Sequence, residues 1–221
     1  MGAKRSGHYW QGIKMVHYLI EFRFHGYAKK YAKHLIHEVA RKFRVEGVTR
    51  NRAVPHITLF GQFTTRYEKR MISEVVDVGR KYSLVPFEVK GFNYFGKEHK
   101  VVYLEVNPSA ELKELRWELA QRLGNISDSP QGDNQKQFQF HATVAFRDID
   151  RKFLRIWEYI KEKEEPNINQ HLLRITILKG GRILYEYDLI LKKLLNRRQA
   201  LSRYWFNKTM RKFKELQGLP V

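Results

Sequence analysis

The chain has 221 residues, with 42 Lys and Arg against 23 Asp and Glu, a formal net charge of +19 and a pI near 10.0. That length suits one large domain or two merged lobes; 43% hydrophobic and 14% aromatic residues describe a globular chain, and no run approaches the roughly 18 apolar residues of a membrane span. Zero cysteines exclude disulfides, thiolate metal sites and thiol catalysis, and the N-terminus lacks the apolar core of a signal peptide, so a cytoplasmic protein with no membrane partner is expected. The basic excess attracts polyanions, phosphate backbones above all.

Met1 to Met15 reads as a basic extension, and its opening "MGAKRS" fits a myristoylation pattern too short to carry weight. "VHYLIEFRF" predicts a strand, and Tyr27 to Phe43 a helix with Ala28, Ala32, Leu35, Val39 and Phe43 on one face. "VPHITLFG" (Val54 to Gly61) is a second strand, Arg66 to Tyr82 a helix buried through Met71, Val75, Val78 and Tyr82, and "VPFEVKGFNYF" a third strand. The order then restarts with the strand "VVYLEV" and a helix opening at Asn107-Pro108-Ser109, its stripe Leu112, Leu115, Leu119 and Leu123. "QFQFHATVAF" is a strand, Asp150 to Lys163 a helix, and "LLRITILKGGRILYEYDLIL" a hairpin turning at Gly180-Gly181.

Strand, helix, strand, helix, strand thus occurs twice, which points to an internal duplication. His56 and His141 lie 85 positions apart, and Tyr18-Leu19 pairs with Tyr103-Leu104 at the same offset. In "QFQFHATVAF" the parity is unbroken: Phe138, Phe140, Ala142, Val144 and Phe146 point one way and Gln137, Gln139, His141, Thr143 and Ala145 the other. Likewise His56 and Thr58 share a face opposite Ile57 and Leu59. Two residues apart on one strand face is roughly 6.5 to 7 Å, a gap that one phosphate bridges by hydrogen bonds to both side chains. Chance predicts about 0.3 His-x-Thr triplets in such a chain, so two, one in each half, mark a site rather than two solvent-facing polar pairs.

The paired motifs resemble the 2H phosphoesterase superfamily, named for two His-x-Thr motifs, and within it the RNA 2′,3′-cyclic phosphodiesterases also called 2′-5′ RNA ligases. The resemblance spans Val16 to Leu191: "PHITLFG" is similar to the first motif and "RITILKGGRILYEYDL" to the closing hairpin, whereas the second motif has Phe140 where many relatives carry proline and Phe146 where many carry arginine. The expected fold is α+β and bilobal: two pseudo-symmetric lobes, each an antiparallel sheet with two helices, around a cleft holding both histidines. The domain occupies 16–192, with intertwined lobes of about 16–98 and 99–192. Opening a 2′,3′-cyclic phosphate needs a base for water and an acid for the departing ribose oxygen, roles that two imidazoles near neutrality can share without metal or cofactor. Thr58 and Thr143 would donate hydrogen bonds to the non-bridging oxygens. The resemblance further implies that His56 protonates the leaving 3′ oxygen, that His141 activates water, and that a 2′-phosphate is kept. The implied partner is RNA with 2′,3′-cyclic phosphate ends, tRNA among the candidates, acted on by a monomer. Ligation is the reverse direction, and a non-catalytic RNA-binding protein on the same fold is the alternative.

Residues 193–221 read as a basic C-terminal helical segment: Lys192 to Lys214 holds nine Lys or Arg, no acid, and Tyr204, Trp205, Phe206 and Phe213. Rings stack on bases and cations hold phosphates, so Arg197, Arg198, Arg203 and Trp205 are candidate RNA contacts; a buried stripe on a tail helix explains the aromatics equally well. Phe60 is a candidate for base stacking, with packing favoured, and Gly124 to Gln135 for a loop gating the cleft. His34 and His37, at helical spacing, lack a third metal ligand.

Overall fold

The computed structural model describes residues 16–50, 53–96, 100–129 and 135–220, so the basic extension at 1–15 lies outside the described residues. In chain order the elements are β1 (Tyr18–Arg23), α1 (Gly26–Phe43), β2 (His56–Phe63), α2 (Glu68–Lys81), β3 (Val85–Phe95), β4 (Val101–Pro108), α3 (Ala110–Gly124), β5 (His141–Phe146) and α4 (Phe153–Lys161). After these come β6 (Asn167–Leu172), β7 (Arg174–Lys179), β8 (Arg182–Asp188), β9 (Lys193–Asn196), α5 (Arg197–Ala200) and α6 (Arg203–Leu216). The protein is α+β and two-lobed, with a cleft between lobes. One sheet has the strand order β2-β1-β7-β8-β9 and the other β5-β4-β3-β6, with antiparallel pairing throughout.

Local signals account for some of the boundaries. The Ser109 side chain accepts the Leu112 N–H at 3.2 Å and so starts α3, satisfying one donor that the first helical turn leaves free. Gly180 and Gly181 take φ of +55° and +75°, the paired positive values of a tight turn whose twist matches the two strands it joins. Gly79 in α2 permits close approach to β8, because a Cβ there would run into the Tyr187 ring.

The halves exchange elements. β3 leaves the first half to join the second sheet, and the final hairpin β7–β8 returns to the first. Helix α1, which follows β1, packs instead against β5 and β6 of the opposite sheet. A cut between 98 and 99 therefore does not separate the two sheets. Their apolar faces meet in one core, in which Phe22 and Phe24 of the first lobe pack on Phe87 of the second at ring distances of 5.5 and 6.1 Å.

In the first sheet Ile20, Phe22, Ile57, Leu59, Ile175 and Ile177 are buried toward that core, each worth about 1.5–3 kcal/mol of transfer free energy. The opposite face is polar: Thr58 lies across from Glu21, Glu21 from Thr176, and Thr176 from Glu186, while His56 faces Arg23 and Arg174 faces Asp188. Part of that face is nevertheless out of water, and α6 is the cover. Arg174 donates to Asp188 at 3.0 Å, to Glu186 at 3.2 Å and to the Thr209 hydroxyl of α6 at 2.7 Å; Thr209 in turn donates to Asp188 and is fully buried. Phe206 and Phe213 lean on the rings of His25 and His171 at 6.2 and 5.0 Å.

The tail is thus not an appendage beginning at Lys193. β9 is the edge strand of the first sheet, with Leu195 buried, and α6 closes over the charged end of that sheet. The pattern misled because α6 buries Thr209 alone, with Phe206 and Phe213 half-buried beside it, under a cationic outer face.

Thr209→Val leaves Arg174 and Asp188 short of a partner and is expected to cost about 1–3 kcal/mol, read as a lower urea midpoint, with Thr209→Ser nearer the parent.

Candidate active site

Both His-x-Thr pairs stand on the cleft faces of their sheets, and β2 and β5 lie against each other. The backbone holds the two imidazoles in the same way. His56 Nδ1–H donates to the Val54 carbonyl at 2.8 Å and His141 Nδ1–H to the Gln139 carbonyl at 2.9 Å, each two residues upstream. A carbonyl only accepts, so Nδ1 must carry the proton, and Nε2 of each ring is the atom left for chemistry.

Beyond each threonine the strand bulges at the same place. Thr58 pairs with Glu21 but Phe60 with Ile20, and Thr143 pairs with Tyr103 but Ala145 with Val102. The extra residue reverses the parity, so Phe60 is fully buried and does not present a stacking face, and Ala145 is buried beside Val144 instead of facing the cleft. One part of the repeat does not hold across the strand pairs. His56 lies opposite Arg23 and His141 opposite Glu105, so Tyr18-Leu19 and Tyr103-Leu104 are not equivalent positions.

With the backbone matched, the side-chain surroundings differ. Glu21 is buried, and its carboxylate sits 3.7 Å from His56 Nε2 while Arg23 Nε donates to its other oxygen at 2.8 Å. At the equivalent place beside His141 stands Tyr103, its ring 5.2 Å away, with the Phe95 ring edge-on at 4.9 Å. Burial pushes the His141 imidazole below the usual histidine range; the Gln139 carbonyl opposes this in part, and charge on His56 lowers it further. The two rings therefore sense each other across the cleft. One has a carboxylate at its side and the other an aromatic wall.

Thr58 and Thr143 are half-buried on the same faces as their histidines. Arg197 and Arg198 are exposed on α5 and Arg203 on α6, on the lobe that bears His56. Trp205 is half-buried with the ammonium groups of Lys193 and Lys208 over its ring at 4.5 and 5.4 Å. Asp128 accepts from the Thr64 backbone and hydroxyl, which ties the start of the 124–135 segment to the end of β2; its residues 130–134 fall outside the described residues. Among the described residues no three His, Cys, Asp or Glu gather as a metal site, and no helix is long and apolar enough to cross a membrane.

Sequence reasoning missed Glu21, Arg23, Phe95 and Tyr103. The signal for the first two was present: in "YLIEFRF" both charges fall on one parity of an otherwise apolar strand.

An α+β pair of lobes with a His-x-Thr strand from each on the cleft defines a phosphoesterase of the two-histidine kind. Residues 30–181 match the model of the 2′-5′ RNA ligase superfamily, and the chain belongs to that family. Its chemistry is accordingly phosphoester hydrolysis or ligation. No curated protein matches the sequence. Among solved structures, a crystal structure of a phosphoesterase aligns at 14% identity and a TM-score of 0.43, covering 83% of this chain and 94% of that one. Kluyveromyces marxianus Usb1 aligns at 10% identity and 0.47, covering 83% and 98%, and its complex with uridine monophosphate at 10% and 0.46, with the same coverage.

Burial lowers His25 and His171 as well as His141. With folded values below the unfolded value of about 6.5, the unfolded chain takes up more protons as pH falls, so this stability is complete above about pH 6.5 and is lost below it. The urea midpoint should drop between pH 7.5 and 5.5, and by NMR His141 should titrate below free histidine, moving up in His56→Gln.

Proposed function

We propose that the protein opens RNA 2′,3′-cyclic phosphate ends to 2′-phosphates, with 2′-5′ ligation as the same ring opening when an RNA 5′-hydroxyl replaces water as the nucleophile. The observation that carries this reading is the pair of Nε2 atoms, alike in how their rings are held and unlike in their surroundings. His141, kept neutral by burial, accepts a proton from water as the water oxygen attacks phosphorus. His56, with Glu21 as counter-charge, delivers its Nε2 proton to O3′ as the P–O3′ bond breaks. Thr58 and Thr143 donate to the non-bridging oxygens as charge grows there. The 2′ ester bond stays intact, and the two histidines end with protonation states exchanged, reset by solvent. The +19 charge and exposed Arg197, Arg198 and Arg203 support an RNA substrate, its backbone running over the lobe with α5 and α6.

The test is incubation with an RNA ending in a 2′,3′-cyclic phosphate in the presence of EDTA, with ³¹P NMR of the product. A single product, the 2′-phosphate, is expected, with a bell-shaped pH profile set by the coupled histidines. His56→Ala and His141→Ala should each lower the rate by about 10² or more, and Thr58→Val and Thr143→Val should slow it more than serine does. A 3′-phosphate product would overturn the assignment of His56 to O3′; near-normal turnover in either alanine variant would overturn the two-histidine mechanism.

A further inference from the structure

The strand positions directly across from the two histidines carry opposite charge. Directly across from His56 on β1 is Arg23, and directly across from His141 on β4 is Glu105. Residues facing each other across an antiparallel pair share one sheet face with Cα atoms about 4.5–5.5 Å apart, so each charge stands at the shoulder of its imidazole. Arg23 is held there by one nitrogen only. Its Nε donates to Glu21 at 2.8 Å, which turns the outer edge of the guanidinium away from that carboxylate. Among the described residues its two terminal nitrogens have no hydrogen-bond partner, and the side chain is 26% exposed. Arg23 also acts on Glu186 through space, but the hydrogen bonds to that carboxylate come from Arg174 and Thr176, and the second Glu21 oxygen faces His56.

In-line displacement puts the incoming water and the departing oxygen on opposite sides of phosphorus. The ribose therefore stays on the side of the acid, which in the proposed reaction is His56. That ribose carries, through its 5′ carbon, the next phosphodiester of an RNA chain. Its charge falls on the lobe that offers a guanidinium, and Glu105 repels it from the other lobe. A planar fork with two free N–H edges suits a phosphodiester better than a point charge does.

We infer that Arg23 binds the phosphodiester immediately 5′ of the reacting terminal nucleotide, which makes the preferred substrate an RNA 3′ end and not a free nucleoside cyclic phosphate. The inference rests on the proposed reaction for the direction of the chain, and its test reads binding, not turnover.

Two labelled short RNAs ending in a 2′-phosphate serve as probes, one with an ordinary last linkage and one with a neutral methylphosphonate there. By fluorescence anisotropy the parent should bind the charged RNA about 10-fold or more tightly, the range of a hydrogen bond to a charged group. Moving the methylphosphonate one linkage further 5′ should restore most of the affinity, which separates a local contact from the general pull of a basic protein. In Arg23→Gln the ratio between the first two RNAs should collapse toward one, and in Arg23→Lys it should fall part of the way. Equal binding of both RNAs by the parent overturns the inference whatever the variants do, and so does an unchanged ratio in Arg23→Gln. A preserved ratio without any turnover would count against the proposed reaction and for the anion site; turnover with a ratio near one in the parent would do the reverse.

Discussion

Each sheet can give only one face to the hydrophobic core, because successive side chains on a strand point to opposite sides, and every other feature of the molecule follows from where the second face goes. Here the second faces turn to the cleft, with His56 and Thr58 on one side and His141 and Thr143 on the other. In the first sheet that polar face continues past the histidine into Glu21, Arg174, Glu186 and Asp188, all of them buried. Charges out of water are tolerable only when paired and hydrogen-bonded, and the pairing is completed by Thr209 from the last helix. The tail is therefore bound to the same constraint as the candidate site, since it seals the end of the sheet from which His56 projects.

Duplication and divergence act on different atoms. What repeats is backbone: the histidine, the threonine two residues on, the carbonyl two residues back that fixes the tautomer, and the bulge just past the threonine. What differs is the neighbouring strand, which supplies Glu21 and Arg23 to one histidine and Tyr103 and Glu105 to the other. Two equivalent imidazoles would have no reason to divide the roles of acid and base. In the proposed reaction a carboxylate beside one ring and an aromatic wall beside the other give them that reason, while Arg23 and Glu105 stand across from the two rings.

Much of the scaffold was legible. The helical stripes from Ala28 to Phe43 and from Leu112 to Leu123 are buried as their periodicity requires, and the Gly180-Gly181 turn joins its two strands. The missed strands are edges that pair on one side only: β6 ("NINQHL") buries alternate residues, but one of them is Gln170, which hides the alternation in the letters, and β9 ("KLLN") has four residues, too few to show a period. The Tyr18-Leu19 match at the repeat offset was coincidence of letters, because the segment joining the two strands differs in length between the halves while the bulge is common to both.

Spacing within a strand is a local property, and the sequence by itself determined it: two His-x-Thr pairs, each with histidine and threonine on one face, in two halves of the same element order. Register between strands is not local. It depends on bulges at Leu59 and Val144, on turn lengths, and on which strand the chain returns to after a long excursion, as when the hairpin from Arg174 to Asp188 comes back to lie beside β1. Only the tertiary structure could decide that Glu21 and Arg23 flank His56, that Tyr103 and Glu105 flank His141, and that Thr209 reaches back to Arg174. Those contacts are settled by the competition to bury apolar faces and pair buried charges over the whole chain, and no window of neighbouring residues contains that competition.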